Sequence, residues 1–268
     1  MLCRILRLFK DLIFKNIFLT RVVSKFYKIV NNLFFNNNID IYNEDNYWIH
    51  KTSLGLIPCD KPIFNPEKYV KKNFEIFFEH YLPKKNDVVV ELGAGQGCET
   101  LYISKIIGEN GKIISIEPFE EIFKILNKTI RINNLQNVTA IQKAIYNDSS
   151  KIGFTSSIDS YLEGKIDINS KNLVTTCCLD DLVMDENLKQ INFCKINIEG
   201  AEKYILKNSN KFFDICENLA IECHDFFDEE EYKTFDMVKK FLISKKYHIK
   251  SSNRNKFSYD KFYVYASK

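Results

Sequence analysis

The chain has 268 residues, 45% hydrophobic and 27% charged, the balance of a globular protein with one substantial core and an appendage. That length excludes two full catalytic domains, and with 9 Gly and 5 Pro no long flexible linker is expected. A net charge of +3 without a basic stripe excludes a surface that tracks phosphates, so no nucleic-acid partner is expected.

The basic excess is concentrated at the start. Residues 1–36 carry Arg4, Arg7, Lys10, Lys15, Arg21, Lys25 and Lys28 against one acid, Asp11. Leu2, Ile5, Leu6, Phe9, Leu12 and Ile13 follow helical spacing between these charges, so residues 1–45 read as a basic amphipathic segment. Such a helix lies in a membrane interface, or it covers the core or pairs with a second subunit; both readings stand. No run reaches the roughly 20 apolar residues of a spanning helix, and no secretory signal is expected. The eight cysteines form no C-x-x-C pair, which points to reduced thiols in a cytoplasmic protein, with peripheral contact at the inner membrane face as the alternative.

Residues 46–84 read as a lead-in helical region, with a helix from Pro66 to Leu82 and a turn at Pro83-Lys84-Lys85-Asn86. Over residues 85–268 strands and helices alternate. Val88–Leu92 is a buried strand, followed by a glycine-rich turn, a helix from Glu99 to Ile107 and a break at Gly108–Gly111. Lys112–Glu117 is a strand, Phe119–Asn133 a helix and Val138–Lys143 a strand. Residues 144–186 break the pattern with short strands at Ile152–Phe154 and Leu173–Cys178 around a polar stretch from Ser156 to Ser170, the candidate acceptor-specific loop. Phe193–Asn197 is a strand, Ala201–Asn208 a helix and Leu219–Cys223 a strand. Asp228 and Glu231 form a capping box for a helix through Phe241, before strands at Tyr247–Lys250 and Phe262–Tyr265. The alternation predicts an α/β fold with a mostly parallel sheet and helices on both faces.

Ligands of such sheets sit outside the carboxyl ends of the strands, where strand order reverses. The first core strand ends in Glu91-Leu92-Gly93-Ala94-Gly95-Gln96-Gly97. Gly93, Gly95 and Gly97 let the backbone turn and approach a ligand. The dinucleotide fingerprint requires glycine where Cys98 stands, and the acid Glu91 suits an ammonium rather than a phosphate, which disfavours a nicotinamide-dependent dehydrogenase. Glu91 is assigned to the cationic tail of the ligand, through water. Glu117, twenty residues after Gly97, is placed to accept hydrogen bonds from both hydroxyls of a ribose. Together they point to an adenosine-containing ligand with a cationic tail; the alternative is a βα turn of an unrelated α/β protein. Lys143 and Ala144, at the end of the third strand, are the candidate adenine neighbours.

In motif order, residues 85–226 resemble the FkbM-type methyltransferase family. The glycine loop is similar to its first motif and Ile116-Glu117-Pro118 to its second. Asn133, Asn137-Val138 and Ala144 match the surroundings of the third strand, and Cys178-Leu-Asp-Asp-Leu182 a Thr-Leu-Asp segment. Most specific are Lys195-Ile-Asn-Ile-Glu-Gly-Ala-Glu202 and Ile221-Glu-Cys-His224. The resemblance implies a Rossmann-like class I methyltransferase fold, S-adenosyl-L-methionine as donor, and O-methylation of hydroxyls on sugars or related metabolites, a small-molecule or glycan acceptor. Two positions depart from the family: Gly95 replaces its usual Asn, and Asn197 replaces its usual Asp. An amide is neither a base at neutral pH nor a good ligand for a divalent cation. Asn197 is therefore also the trace by which a donor-binding protein without catalysis would be known.

Methyl transfer from a sulfonium needs alignment above all, while a hydroxyl acceptor must also lose its proton to a base or a Lewis-acid metal. Lys195, Asn197 and Glu199 alternate along and beyond the fourth core strand, and Glu222 and His224 alternate at the end of the next, so each set can face one side. Glu199 or His224 is the candidate base, Asn197 orients the hydroxyl and Lys195 stabilises negative charge. Asn197, Glu199 and Glu222 are a candidate set for a divalent metal such as Mg²⁺. Singly, these residues also fit an ion pair for Lys195, a helix cap for Glu222 and a surface position for His224. Trp48 and Phe74–Phe78 read as packing or as the surface where the acceptor enters, and His50, His80 and His248 as structural.

Overall fold

The run Val88-Val-Val-Glu-Leu92 puts β-branched residues where a strand is covered on both faces, and helical periodicity follows it. The computed structural model describes residues 16–34, 40–45, 47–59, 66–155, 165–166, 169–226, 230, 233–254 and 259–268. In chain order, helix α1 (Ile17–Phe34) precedes strands β1 (Asp40–Glu44), β2 (Tyr47–Thr52) and β3 (Gly55–Cys59), then helix α2 (Pro66–Phe77). The core follows as β4 (Val88–Leu92), α3 (Cys98–Ile107), β5 (Lys112–Ile116), α4 (Glu120–Ile132) and β6 (Val138–Ile141). An excursion contains β7 (Ala144–Ile145), β8 (Lys151–Thr155), β9 (Lys165–Ile166) and β10 (Leu173–Cys177). The chain returns through α5 (Leu179–Asp185), β11 (Ile191–Ile196), a 3₁₀ turn (Ala201–Leu206), α6 (Asn210–Ile215) and β12 (Cys216–Glu222). It ends with α7 (Phe235–Ser244), β13 (His248–Lys250) and β14 (Tyr263–Ser267).

Among the described residues the central sheet has the order β13-β14-β12-β11-β4-β5-β6. Its pairs are parallel from β12 to β6, and β14 runs antiparallel to both its neighbours. From β4 the chain steps outward through β5 and β6, then returns to the other side at β11. The order therefore reverses between β4 and β11, and a crevice opens beyond their carboxyl ends.

Alternation along the strands builds a core on each face. Val90, Leu92, Ile114, Cys194 and Ile196 pack with Phe212, Phe213, Val238 and Leu242. Val89, Ile113 and Phe193 point the other way, against Ile103, Ile107, Phe77 and Phe78. Each such side chain, fully buried, contributes about 1.5–3 kcal/mol.

The turn after β4 is pinned at two points. The Gly93 and Ala94 N–H groups donate to the Ile116 carbonyl, at 3.0 and 2.9 Å. Gly93 has φ +77°, and a Cβ there would lie 1.8 Å from the Asn197 carbonyl oxygen. Only glycine permits this approach of two strand ends.

Several expectations are corrected. Residues 46–84 are not a helical lead-in, because β2 and β3 occupy their first part, paired with β1 in an antiparallel sheet. Leu54, Ile57 and Cys59 pack on Val70, Leu101 and Leu135, and Asn133 joins this sheet to α4 through both the N–H and C=O of Leu56. The helix from Pro66 ends at Phe77, and the segment 201–206 is a 3₁₀ turn. The capping box at Asp228 and Glu231 lies outside the described residues. The helix there starts at Phe235, where Asp225 Oδ2 accepts from the Thr234 and Phe235 N–H groups, both at 2.9 Å. Residues 1–15 of the N-terminal segment also lie outside the described residues, as does most of the acceptor-loop stretch. Among the described residues no helix is long and apolar enough to cross a membrane.

Candidate active site

A cavity of about 360 Å³ fills the crevice. Its floor is the glycine turn after β4 and its sides are the ends of β5 and β11. Lys143, Ala144 and Ile145 close one flank, and Tyr69, Asn73 and Phe77 of α2 stand over it. Phe154, just before the acceptor-loop stretch, also reaches the wall.

Glu117 stands at the end of β5, nearly buried. Its carboxylate accepts from the Gly95 N–H at 3.0 Å and the Phe119 N–H at 2.9 Å. Burial pushes its pKa up to about 7, against the pull of those two amides and of Lys195. A half-ionised acid in a cavity wall gains most from a ligand that donates hydrogen bonds to it, as a ribose diol does. Gly95 has φ +55° and nothing within 4 Å of where a Cβ would stand, so the cavity reaches its backbone.

Glu91 is placed differently from its expectation. It is 0% exposed and is not part of the cavity wall. One carboxylate oxygen accepts from Thr100 Oγ1 at 2.5 Å and from Ser115 Oγ at 3.2 Å. The other, Oε1, has no hydrogen-bond partner and lies 3.5 Å from the Lys195 ammonium. Burial raises the Glu91 pKa and Lys195 opposes that rise. Lys195 lines the cavity, donates to the Gly93 carbonyl at 3.1 Å and stands 5.0 Å from the centre of the Phe77 ring. Burial favours its neutral form, but Glu99, Glu91 and Glu222 outweigh that and hold it charged. Its charge is thus committed to the glycine turn. The acid that does line the cavity beside this turn is Glu99, in the first turn of α3. In the sequence Glu99 does not stand out, because an acid in a first helical turn has an ordinary explanation in the helix dipole.

Asn197 and Glu199 line the cavity next to Lys195. The Asn197 N–H donates to the Leu92 carbonyl at 3.0 Å, continuing the pairing with β4 past the end of β11. Its side-chain Oδ1 is buried without a hydrogen-bond partner. Glu199 then has φ +52°, a left-handed conformation rare outside glycine, and Gly200 follows at φ +89°. Strain of this kind persists only where neighbours hold it.

The neighbour is His224, 2% exposed after β12. Its Nε2 lies 3.2 Å from Glu199 Oε2 and its Nδ1 2.9 Å from Glu202 Oε1. Glu202, fully buried, also accepts from Thr234 Oγ1 at 3.1 Å and the Gly200 N–H at 3.1 Å. Burial favours the neutral ring, but the two carboxylates overcome it and raise the His224 pKa to about 10. At neutral pH both ring nitrogens therefore carry protons, and His224 has no lone pair with which to act as a base. It does not line the cavity. Nor does Glu222, whose carboxylate bonds Tyr263 and whose pKa burial raises. The candidate metal set of Asn197, Glu199 and Glu222 is therefore not gathered around one space. Among the described residues no group of three or more His, Cys, Asp or Glu is placed to hold a metal ion.

The residues fit an adenosyl ligand with a cationic tail. An amide-anchored acid faces the cavity at Glu117, with an open backbone at Gly95, and Glu99 lines the same cavity. Comparison with known proteins agrees. The structure of the methyltransferase FkbM from Methylobacillus flagellatus KT superposes with a TM-score of 0.52 at 16% identity, over 74% of this chain and 50% of that one. Protein-L-isoaspartate O-methyltransferases are similar over short stretches: 34% identity over 58 residues for Thermosipho melanesiensis and 38% over 53 residues for Methanococcus maripaludis. These stretches cover 22% and 20% of this chain, and 29% and 25% of the two relatives. A family profile described as the methyltransferase FkbM domain matches residues 91–249, from Glu91 into β13. With the strand order, the glycine turn and that match together, the chain belongs to the FkbM family of S-adenosylmethionine-dependent methyltransferases.

Proposed function

We propose that this protein methylates a hydroxyl oxygen of a glycan or related metabolite, with Glu199 receiving the hydroxyl proton. The observation that carries this reading is the Glu199 carboxylate on the cavity wall, locked in a left-handed backbone by a buried imidazolium. When bound, the donor supplies a methyl group on a sulfonium already activated for in-line displacement. Glu117 would hold the ribose hydroxyls, Lys143 to Ile145 would contact the adenine, and Glu99 would answer the charge of the cationic tail. Lys195 keeps the glycine turn closed by joining the Gly93 carbonyl to Glu91.

On the acceptor side, Asn197 Oδ1 is a buried acceptor in need of a donor, which an incoming hydroxyl provides. The hydroxyl so oriented presents its proton to Glu199. His224 is a positioning residue in this account. It orients Glu199 and is itself fixed by Glu202 and Thr234.

The test uses methyl-tritiated S-adenosylmethionine and a panel of hydroxylated glycans and metabolites. Ethers formed at hydroxyls keep their label in mild alkali, whereas methyl esters release it as methanol. Alkali-stable label is expected. Release as methanol would instead place the chemistry on a carboxylate, and normal S-adenosylhomocysteine binding without transfer to any acceptor would favour a binding protein.

A further inference from the structure

Among the described side chains of helix α1 the buried ones are small and polar: Thr20 and Ser24, which bond back to the helix through the Asn16 and Thr20 carbonyls at 2.9 and 2.7 Å. Asn16 caps its start, accepting from the Phe18 and Leu19 N–H groups, and Lys28 ties it to Asp40 of β1 at 2.6 Å. Six of its large apolar side chains point to solvent. Phe18 is 73% exposed, Phe26 68% and Leu33 74%, with Leu19, Val22 and Ile29 also exposed. At 3.6 residues per turn these six fall within an arc of about 100°. Arg21 and Lys25, both exposed, border that arc on one side, and the helix contains no acid.

We propose that this face docks on an anionic lipid surface, the helix lying along it. Charge decides between occupants. A second copy of the helix would bring Arg21 and Lys25 near their own counterparts with no helical acid to answer them. An anionic bilayer answers the cations with headgroup charge and the apolar arc with the acyl boundary. Residues 1–15 add Arg4, Arg7, Lys10 and Lys15 to the same end of the chain against one acid, Asp11. The attachment proposed is peripheral; among the described residues no helix is long and apolar enough to cross a membrane.

The experiment floats the full chain with phosphatidylcholine vesicles, alone and with about 30% phosphatidylserine. Two variants at exposed positions, Phe26→Ser with Ile29→Ser, and Arg21→Glu with Lys25→Glu, are checked by thermal melting to share the parent's fold. The parent should float with the anionic vesicles alone, and each variant should lose about tenfold in bound fraction. Three results would overturn the proposal. One is no flotation of the parent. Another is flotation indifferent to both variants. The third is a dimer in lipid-free light scattering that the serine variant converts to monomer, with no vesicle binding.

Discussion

Donor affinity should fall as pH falls through about 7, and Glu117 is the reason. Burial holds its carboxyl near 7, and only the ionised form offers both oxygens to ribose hydroxyls. The sign follows directly. A ligand that prefers the carboxylate must expel a proton wherever the free site is protonated, so acid weakens binding. With a pKa of about 7 the ionised fraction is about 0.9 at pH ~8 and about 0.1 at pH ~6, which raises the apparent Kd about tenfold between them. Calorimetry with S-adenosylhomocysteine, in two buffers of different ionisation enthalpy, should show release of about half a proton at pH ~7. Glu117→Gln should bind about tenfold or more weakly at pH ~8 and lose the pH slope. A Kd flat across that range, or a slope that persists in Glu117→Gln, would refute the reasoning.

Glu199→Gln should lower kcat by about 10²–10⁴ while leaving S-adenosylhomocysteine affinity unchanged, as single-turnover kinetics and calorimetry would show; full turnover would remove the base. His224→Ala leaves Glu199 and Glu202 facing each other uncompensated and should cost about 3–5 kcal/mol in denaturant unfolding. In the parent, the folded His224 pKa of about 10 lies above the unfolded value of 6.5, so its contribution is fully present below 6.5 and lost as pH rises toward 10. A stability profile flat over that range would contradict the ion triad. Gly93→Ala drives a Cβ into the Asn197 carbonyl and should yield little folded protein on expression. Gly95→Ala meets no atom and should fold at a cost of about 1–2 kcal/mol for its left-handed backbone, yet bind the donor poorly because its methyl enters the cavity. Equal behaviour of the two variants would undo the assignment of the turn.

Strands β4 and β5 were legible because each combines a β-branched run with a glycine or proline break, at Gly93 and Pro118, and an acid at a strand end is unusual enough to notice. Lys195 and Asn197 were legible because an extended chain brings alternate residues together, and Glu199, although its backbone turns left-handed, lines the same cavity. What stayed hidden depends on tertiary approach. Strands β1 to β3 are short, β1 is rich in Asn, Asp and Glu, and the burial of β3 comes from α2, α3 and α4, which no local pattern reveals. Glu202 sits three residues past Glu199, and only the 3₁₀ turn brings it against His224. His224 looked like a base in sequence because a histidine's partners decide its charge, and both partners lie over twenty residues away. Glu91 had the right type and position for a ligand contact, but Lys195 reaches it from the adjacent strand and covers it.

The account depends on a crevice between β4 and β11 shaped for an adenosyl group with a charged tail. Titration of the full chain with S-adenosylhomocysteine and, separately, with NADH tests this most directly. Saturable one-to-one binding of S-adenosylhomocysteine, abolished by adding excess S-adenosylmethionine and absent for NADH, is the predicted result. Uptake of NADH with none of S-adenosylhomocysteine would contradict it.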